Sequence, residues 1–258
     1  MSDNYICIGD IHGRVDLLDD LLLKVRARGN DHLLGHKFVF LGDMIDRGPD
    51  SFAVVQRIKS LVDRGNAIAL LGNHDAFALE FYADKIPNKA HIWLVPQNGG
   101  QKTVRSYCEA MGSYGLAHFF SAFGKSGHAE WLKSLPMYYE TDKVWFSHAP
   151  IPHENWRRAI SRREGDFRLD KELLLWSVNH HAEEGAWEHD HGKLAVCGHV
   201  HALMRGILEP RIYPHIIYAD TGSGCAPQGR LTAIIVTDGK YEGYLQAVPK
   251  EVNTMETK

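Results

Sequence analysis

Asp43, Asp46 and Arg47 place two carboxylates and a guanidinium within five residues, directly after the apolar run Phe38-Val39-Phe40-Leu41. A carboxylate at the mouth of a buried strand costs free energy unless something positive sits against it. Two acids and an arginine in that setting form a layout for handling metal ions and phosphate. Other junctions have the same character with different donors. Asp10 and His12 stand two apart in Gly9-Asp10-Ile11-His12-Gly13, and Asn73 and His74 follow an apolar run in Gly72-Asn73-His74-Asp75. His148 closes Val144-Trp145-Phe146-Ser147, while His199 and His201 follow Leu194-Ala195-Val196-Cys197. In an extended segment residues i and i+2 project to the same side, so Asp10 and His12 can reach one ion. Ordinary turn composition would supply any one of these junctions. Several in register, all with metal or phosphate chemistry, are not turn composition.

Oxygen and imidazole donors together suit manganese, iron or zinc better than calcium or magnesium. Asp10, His12, Asp43, Asn73, His148 and His199 are too many donors for one tetrahedral zinc, and they suit two divalent ions sharing a carboxylate. Such a pair, with manganese the first expectation, clamps a phosphoryl group and acidifies a bridging water whose hydroxide attacks phosphorus. The leaving oxygen then needs a proton. His74 is the candidate general acid, and Asp46 its partner, because a neighbouring carboxylate favours a protonated ring. Arg47 offers a planar fork to phosphate oxygens. Asn73 stands where it can touch both metal and phosphate.

The elements that must position these residues are legible in the periodicity. Val15, Leu18, Leu22 and Val25 predict an amphipathic helix over 14–28, and Phe52, Val55, Ile58 and Val62 predict another over 50–62. With Ala67-Ile68-Ala69-Leu70-Leu71 and the helix after it, the chain opens with three strand–loop–helix units. These imply parallel strands, right-handed crossovers and one edge at which the loop residues converge. Residues 85–135 break the pattern and read as an inserted helical segment, with helices near 102–111, 116–123 and 128–134, inside a single domain spanning 1–249. The stretch holding Arg157, Arg158, Arg162, Arg163 and Arg168 reads as a solvated loop or helix face, or as a positive rim for an anionic substrate. Leu173-Leu174-Leu175-Trp176 is an apolar anchor. Residues 179–193, with His180, His181, His189 and His191, read as a mobile polar loop. The last strands run antiparallel, with Asp238-Gly239 as a hairpin turn, and 250–258 reads as a disordered tail.

Bulk composition narrows the function classes. A net charge of −3 over 258 residues argues against an electrostatic nucleic-acid binder. No signal-peptide pattern opens the chain and no apolar run is long enough to span a membrane, so a cytoplasmic location is expected. Cys7, Cys108, Cys197 and Cys225 have no paired spacing and read as free thiols.

The motifs Gly9-Asp10-Ile11-His12-Gly13, Gly42-Asp43-Met44-Ile45-Asp46-Arg47-Gly48 and Gly72-Asn73-His74-Asp75, followed by His148 and Gly198-His199, resemble the calcineurin-like metallophosphoesterases. Within that superfamily they resemble the phosphoprotein phosphatase branch with its bacterial and phage members. The resemblance implies an α/β, four-layer αββα sandwich of two mixed β-sheets with flanking helices. It implies Asp10 and His12 at the first metal, Asp43 bridging, and Asn73, His148 and His199 at the second. It further implies His74 with Asp46 as the acid pair, and Arg47 on phosphate. Two departures stand out. The second phosphate-gripping arginine expected after the Leu-Leu-Trp anchor is missing, since Ser177, Val178 and Asn179 follow Trp176. His201 also makes a Gly-His-x-His pair, which marks it as a further candidate ligand of the first metal. The implied reaction is phosphomonoester hydrolysis, on phosphoserine or phosphothreonine in proteins. The alternative is symmetrical hydrolysis of dinucleoside tetraphosphates on the same site. Asp46 favours the first, because tetraphosphatases of this family often lose that aspartate, and Asp75 in place of glutamate favours the second.

Overall fold

The computed structural model describes residues 3–28, 33, 35–84, 91–151, 171–178 and 192–250, together with the backbone of 160–163 and 166–169. The first sheet contains β1 (Tyr5–Ile8), β2 (Lys37–Phe40), β3 (Ala67–Ala69), β11 (Leu231–Thr237) and β12 (Lys240–Ala247), in the order β12-β11-β1-β2-β3. β1, β2 and β3 are parallel, as the strand–loop–helix units require, and β11 is antiparallel to β1. The second sheet repeats the plan, with a parallel centre and antiparallel edges. Its strands are β4 (Tyr138–Glu140), β5 (Val144–Ser147), β8 (Leu194–Cys197), β9 (Arg211–Ile212) and β10 (Ile216–Tyr218), in the order β4-β5-β8-β10-β9. β5, β8 and β10 are parallel, so both sheets bring carboxyl ends to one edge.

Side-chain alternation along the strands builds the layers. Tyr5 and Cys7 of β1, Val39 of β2 and Ile234 and Val236 of β11 face Val144 and Phe146 of β5, Val196 of β8 and Ile217 of β10 between the sheets. The alternate residues Ile6, Ile8 and Phe40 face the helices. These are α1 (Val15–Arg28), α2 (Ser51–Asp63) and α3 (Asn73–Asp84), joined by α4 (Gly100–Ala110), α5 (Leu116–Lys125) and α6 (His128–Lys133). Trp93, Tyr107, Phe119 and Phe123 of the inserted segment enter this same core. On the far side Trp145, Ala195 and Tyr218 pack with Leu174 of α7 (Lys171–Trp176). The result is the four-layer αββα sandwich.

Local chemistry explains the element ends. Asp50 caps α2 by accepting from the Ala53 amide at 3.0 Å, which satisfies a donor the helix leaves open. Asp238 and Gly239 both have positive φ, at 51° and 76°, as the tight turn between β11 and β12 demands. Two expectations needed correction. The arginine-rich stretch is neither loop nor helix face where it is described: β6 (Ile160–Arg163) and β7 (Asp166–Leu169) pair as an antiparallel ribbon. The antiparallel character of the last strands does not hold throughout, because β10 is antiparallel to β9 but parallel to β8. Arg157, Arg158, the four histidines between 180 and 191, and residues 251–258 lie outside the described residues, as do 85–90 of the inserted segment.

Candidate dinuclear metal site

The loops after β1, β2, β3, β5 and β8 meet at the shared sheet edge. His12, Asp43, Asp46, Arg47 and His199 there all have positive φ, between 49° and 73°, and Asp238 alone shares that conformation among the other described non-glycine residues. Left-handed backbone at a side-chain-bearing residue costs about 1 kcal/mol or more, so its concentration at one edge marks strain held in place by the surrounding fold. Two glycines let the loops close. A Cβ on Gly72 would stand 2.1 Å from the Asp43 amide nitrogen, and one on Gly48 would stand 2.0 Å from the His12 carbonyl oxygen.

Asp43 is the centre of the arrangement. Its side chain is 2% exposed, and its two oxygens face different partners. Oδ2 lies 3.7 Å from His12 Nε2, and Oδ1 lies 3.5 Å from His148 Nε2. His12, Asp43 and His74 form one group of closely approaching donor atoms, and Asp43, His148 and His199 form another. Asn73 belongs with the second group: its Oδ1 is 2.7 Å from His148 Nε2 and 3.1 Å from His199 Nδ1. Asp10 is in neither group of three. Its oxygens accept from the His199 amide at 3.1 and 3.2 Å, which ties the first loop to the second sheet. His201 also stands outside both groups, half-buried, with an Nδ1 that has no hydrogen-bond partner among the described residues.

The donor chemistry fits divalent cations. His12 donates from Nδ1 to the Ile45 carbonyl at 2.8 Å, and His148 donates from Nδ1 to the Leu41 carbonyl at 2.9 Å. Each ring therefore turns an Nε2 lone pair into the site, the orientation a metal-binding imidazole needs. Burial drives the His12 ring well below its ordinary value and takes the His199 ring down to about 3, which keeps both neutral and able to donate a lone pair. Burial, then Asp220 and Asp43, pushes the Asp10 carboxyl well above its ordinary value. Burial also opposes ionisation of Asp43, but the imidazoles around it, His148 and His74 first, outweigh burial and hold it below the usual carboxylate range. Buried acids that repel one another, with lone pairs converging on the same space, are stabilised by a cation.

Beside the donors sits the acid pair. His74 Nδ1 donates to Asp46 Oδ2 at 2.7 Å. Asp46 is fully buried and is also held by Trp93 Nε1 at 2.8 Å and by the Thr103 hydroxyl at 2.6 Å. Arg47 reaches across both loops, donating from Nη2 to His74 Nε2 at 3.0 Å and from Nη1 to His12 Nε2 at 2.9 Å. The Trp176 ring of the apolar anchor stands edge-to-face against the His199 ring, with centroids 6.4 Å apart. The anchor thus positions a site imidazole although no arginine follows it.

Sequence reasoning missed five supporting residues. Asp75 accepts from the Met44 amide at 3.1 Å and from the Gly72 amide at 3.1 Å, bracing the second and third loops together. Trp93 and Thr103 grip Asp46 from the inserted segment. Asp220 is a buried acid beside Asp10, in a loop that makes single bridges to Arg230. Cys225 Sγ lies 2.9 Å from Arg47 Nη1, and burial pushes its thiol up to about 12.

A four-layer sandwich with two donor groups sharing one buried carboxylate defines a metal-dependent phosphoesterase. The calcineurin-like phosphoesterase family matches residues 4–203, and the chain belongs to that family. It is a phosphoric ester hydrolase whose fold implies a pair of divalent ions. Among named relatives, the asymmetrical bis(5'-nucleosyl)-tetraphosphatase PrpE of Anoxybacillus flavithermus is 39% identical over 247 residues, 89% of each chain. The symmetrical bis(5'-nucleosyl)-tetraphosphatase of Bordetella pertussis is 39% identical over 184 residues, 70% of this chain and 61% of that one. Serine/threonine-protein phosphatase 1 of Salmonella typhimurium is 26% identical over 170 residues, 66% of each.

Proposed function

We propose that the chain hydrolyses dinucleoside polyphosphates, with the tetraphosphate as the reference substrate. The observation that carries the hydrolytic reading is the shared carboxylate Asp43 with the His74–Asp46 pair beside it. The substrate reading is supported by two relatives named as tetraphosphatases, one of them similar along nearly the whole chain. Asp10, His12 and Asp43 would hold one ion, and Asp43, Asn73, His148 and His199 the other. When bound, the ions supply Lewis-acid polarisation of the phosphoryl oxygens and a nucleophile at neutral pH.

The chain's own residues do the rest. Arg47 presents its fork to the phosphoryl oxygens and sets their orientation. His74 keeps its Nδ1 on Asp46, so the proton it delivers to the leaving oxygen leaves from Nε2 once Arg47 turns from that nitrogen to the phosphoryl oxygens. Asp46, gripped by Trp93 and Thr103, fixes the ring and stabilises its charged form. A phosphate leaving group needs little proton help and an alkoxide needs much, so the intact pair supports a second reading, hydrolysis of phosphoserine and phosphothreonine. The test is turnover of diadenosine tetraphosphate and of a phosphoserine peptide, side by side with manganese and with a chelator. Nucleotide products are followed by chromatography. Two diphosphates mark symmetrical cleavage, and a monophosphate with a triphosphate marks asymmetrical cleavage. Chelator-sensitive preference for the dinucleotide is expected. Preference for the peptide would replace the first reading by the second, and turnover of neither would overturn both.

A further inference from the structure

A cavity of about 500 Å³ is lined by Arg47 together with Lys102, His201, Gln97, Gly224 and Cys225. That volume lies within the range of small-molecule sites, roughly 300–1,000 Å³. Its lining is one-sided in charge. Arg47 and Lys102 are cations, His201 offers a ring nitrogen, and no acid lines it among the described residues. Two other cavities, one lined by Arg57 and Arg64 and one by Lys193, His215 and Lys240, also carry cations without acids, so what sets this cavity apart is that Arg47 of the reaction centre lines it.

Three features prepare this cavity for a polyanion. Lys102 Nζ is exposed and donates to the Arg47 carbonyl at 2.6 Å, which holds the ammonium beside the guanidinium and leaves two further N–H groups to donate. The His201 ring lines the cavity with its Nδ1 closed off from solvent, so a contact with phosphate falls to the other ring edge. The cavity also borders the first turn of α4, an eleven-residue helix that begins at Gly100, where backbone N–H groups and the helix dipole favour negative charge. Arg47 bonds His12 and His74 and also lines the cavity, so it joins the reaction centre to the cavity.

The geometry points to a subsite for the phosphate next along the chain from the scissile one, with Lys102 and His201 as specificity-determining residues for substrates that carry consecutive phosphates. This rests on the hydrolytic reading above and deepens its choice of substrate. A monophosphate ester fills the centre and leaves the cavity without a second anion; a dinucleoside tetraphosphate fills both.

The test compares kcat/KM for diadenosine tetraphosphate and for p-nitrophenyl phosphate, at fixed free manganese, in the wild type and in Lys102→Gln and His201→Gln. Lys102→Gln should lower the ratio of the two constants about 10-fold or more, the effect of losing one hydrogen bond to a charged partner. His201→Gln should lower it by less, and Lys102→Arg should restore most of the ratio. A parallel fall for both substrates would show that Lys102 only steadies Arg47, and an unchanged ratio would show that the cavity stays empty; either overturns the subsite. A wild type active on the nitrophenyl ester and inert to the tetraphosphate would overturn the substrate reading and the subsite together. A wild type inert to both would instead overturn the hydrolytic reading itself.

Discussion

Replacing Asp46 by asparagine removes one negative charge from beneath His74 while changing almost no volume. In the wild type the two carboxylate oxygens accept from His74 Nδ1, Trp93 Nε1 and the Thr103 hydroxyl, at 2.7, 2.8 and 2.6 Å. An asparagine offers one acceptor oxygen and one donor group, so it cannot satisfy three converging donors. If its oxygen stays on His74 and Trp93, the ring keeps its orientation and loses the charge that stabilises its protonated form. Losing a hydrogen bond to a charged partner costs about 1.5–3 kcal/mol, equivalent to roughly a 10- to 150-fold fall in rate when that energy belongs to the transition state. The fall should depend on the leaving group. Phenyl phosphate expels a phenol like the tyrosine side chain, with a pKa of about 10, and depends strongly on His74. Nitrophenyl phosphate and the phosphoanhydride expel better leaving groups and depend on it less. Steady-state kcat for these substrates, measured with saturating manganese below the onset of unfolding, should fall about 10- to 100-fold for phenyl phosphate and only a few-fold for the other two. An equal fall across all three would refute the reasoning, because it would make Asp46 a brace for the loop and not a partner in proton delivery.

Gly198→Ala places a Cβ 2.2 Å from Asp10 Oδ1, so the carboxylate must swing away while the fold persists; manganese affinity by calorimetry should fall at least about 10-fold, with little change in melting temperature. Unaltered affinity would mean that Asp10 takes no part in metal binding. His128 predicts an acid-side loss of stability. Burial, then Lys59, lowers its ring from 6.5 to about 4, and the neutral ring bonds Tyr107 and Gln56 at 2.9 and 3.2 Å. Between those pH values the unfolded chain binds a proton that the folded chain refuses, so its contribution is present above pH 6.5 and is lost as pH falls toward 4. The melting temperature should drop less between pH 7 and pH 5 in His128→Gln than in the wild type, and equal drops would remove His128 from the account.

What could be read from the sequence divides along physical lines. The first three strand–loop–helix units were legible because hydrophobic period and loop chemistry agree at each of them. Asp43, Asn73, His148 and His199 then had to meet, since parallel strands deliver their carboxyl ends to one edge. The braces were not legible. Trp93 and Thr103 reach Asp46 from a segment about fifty residues away, and nothing in their spacing announces a partner. Asp75 follows Asn73 closely enough to pass as another loop acid, and only its bonds to the Met44 and Gly72 amides show its task. β9 is two residues long, too short for any period to appear. The ribbon of β6 and β7 was hidden by arginines that read as solvated surface, because charge masks alternation in a strand of four residues. The reading of His201 as a further metal ligand came from its spacing to His199. In the structure His201 lies in neither of the two groups of closely approaching donors.

The claim on which the site rests is that one carboxylate serves two ions. Elemental analysis of protein loaded with manganese and passed through a desalting column tests it most directly, on the wild type and on Asp43→Asn. The account predicts two ions per chain in the wild type and close to none in the variant, with circular dichroism unchanged. Loss of a single ion would show that Asp43 belongs to one donor group alone, and full retention of both would contradict the shared carboxylate altogether.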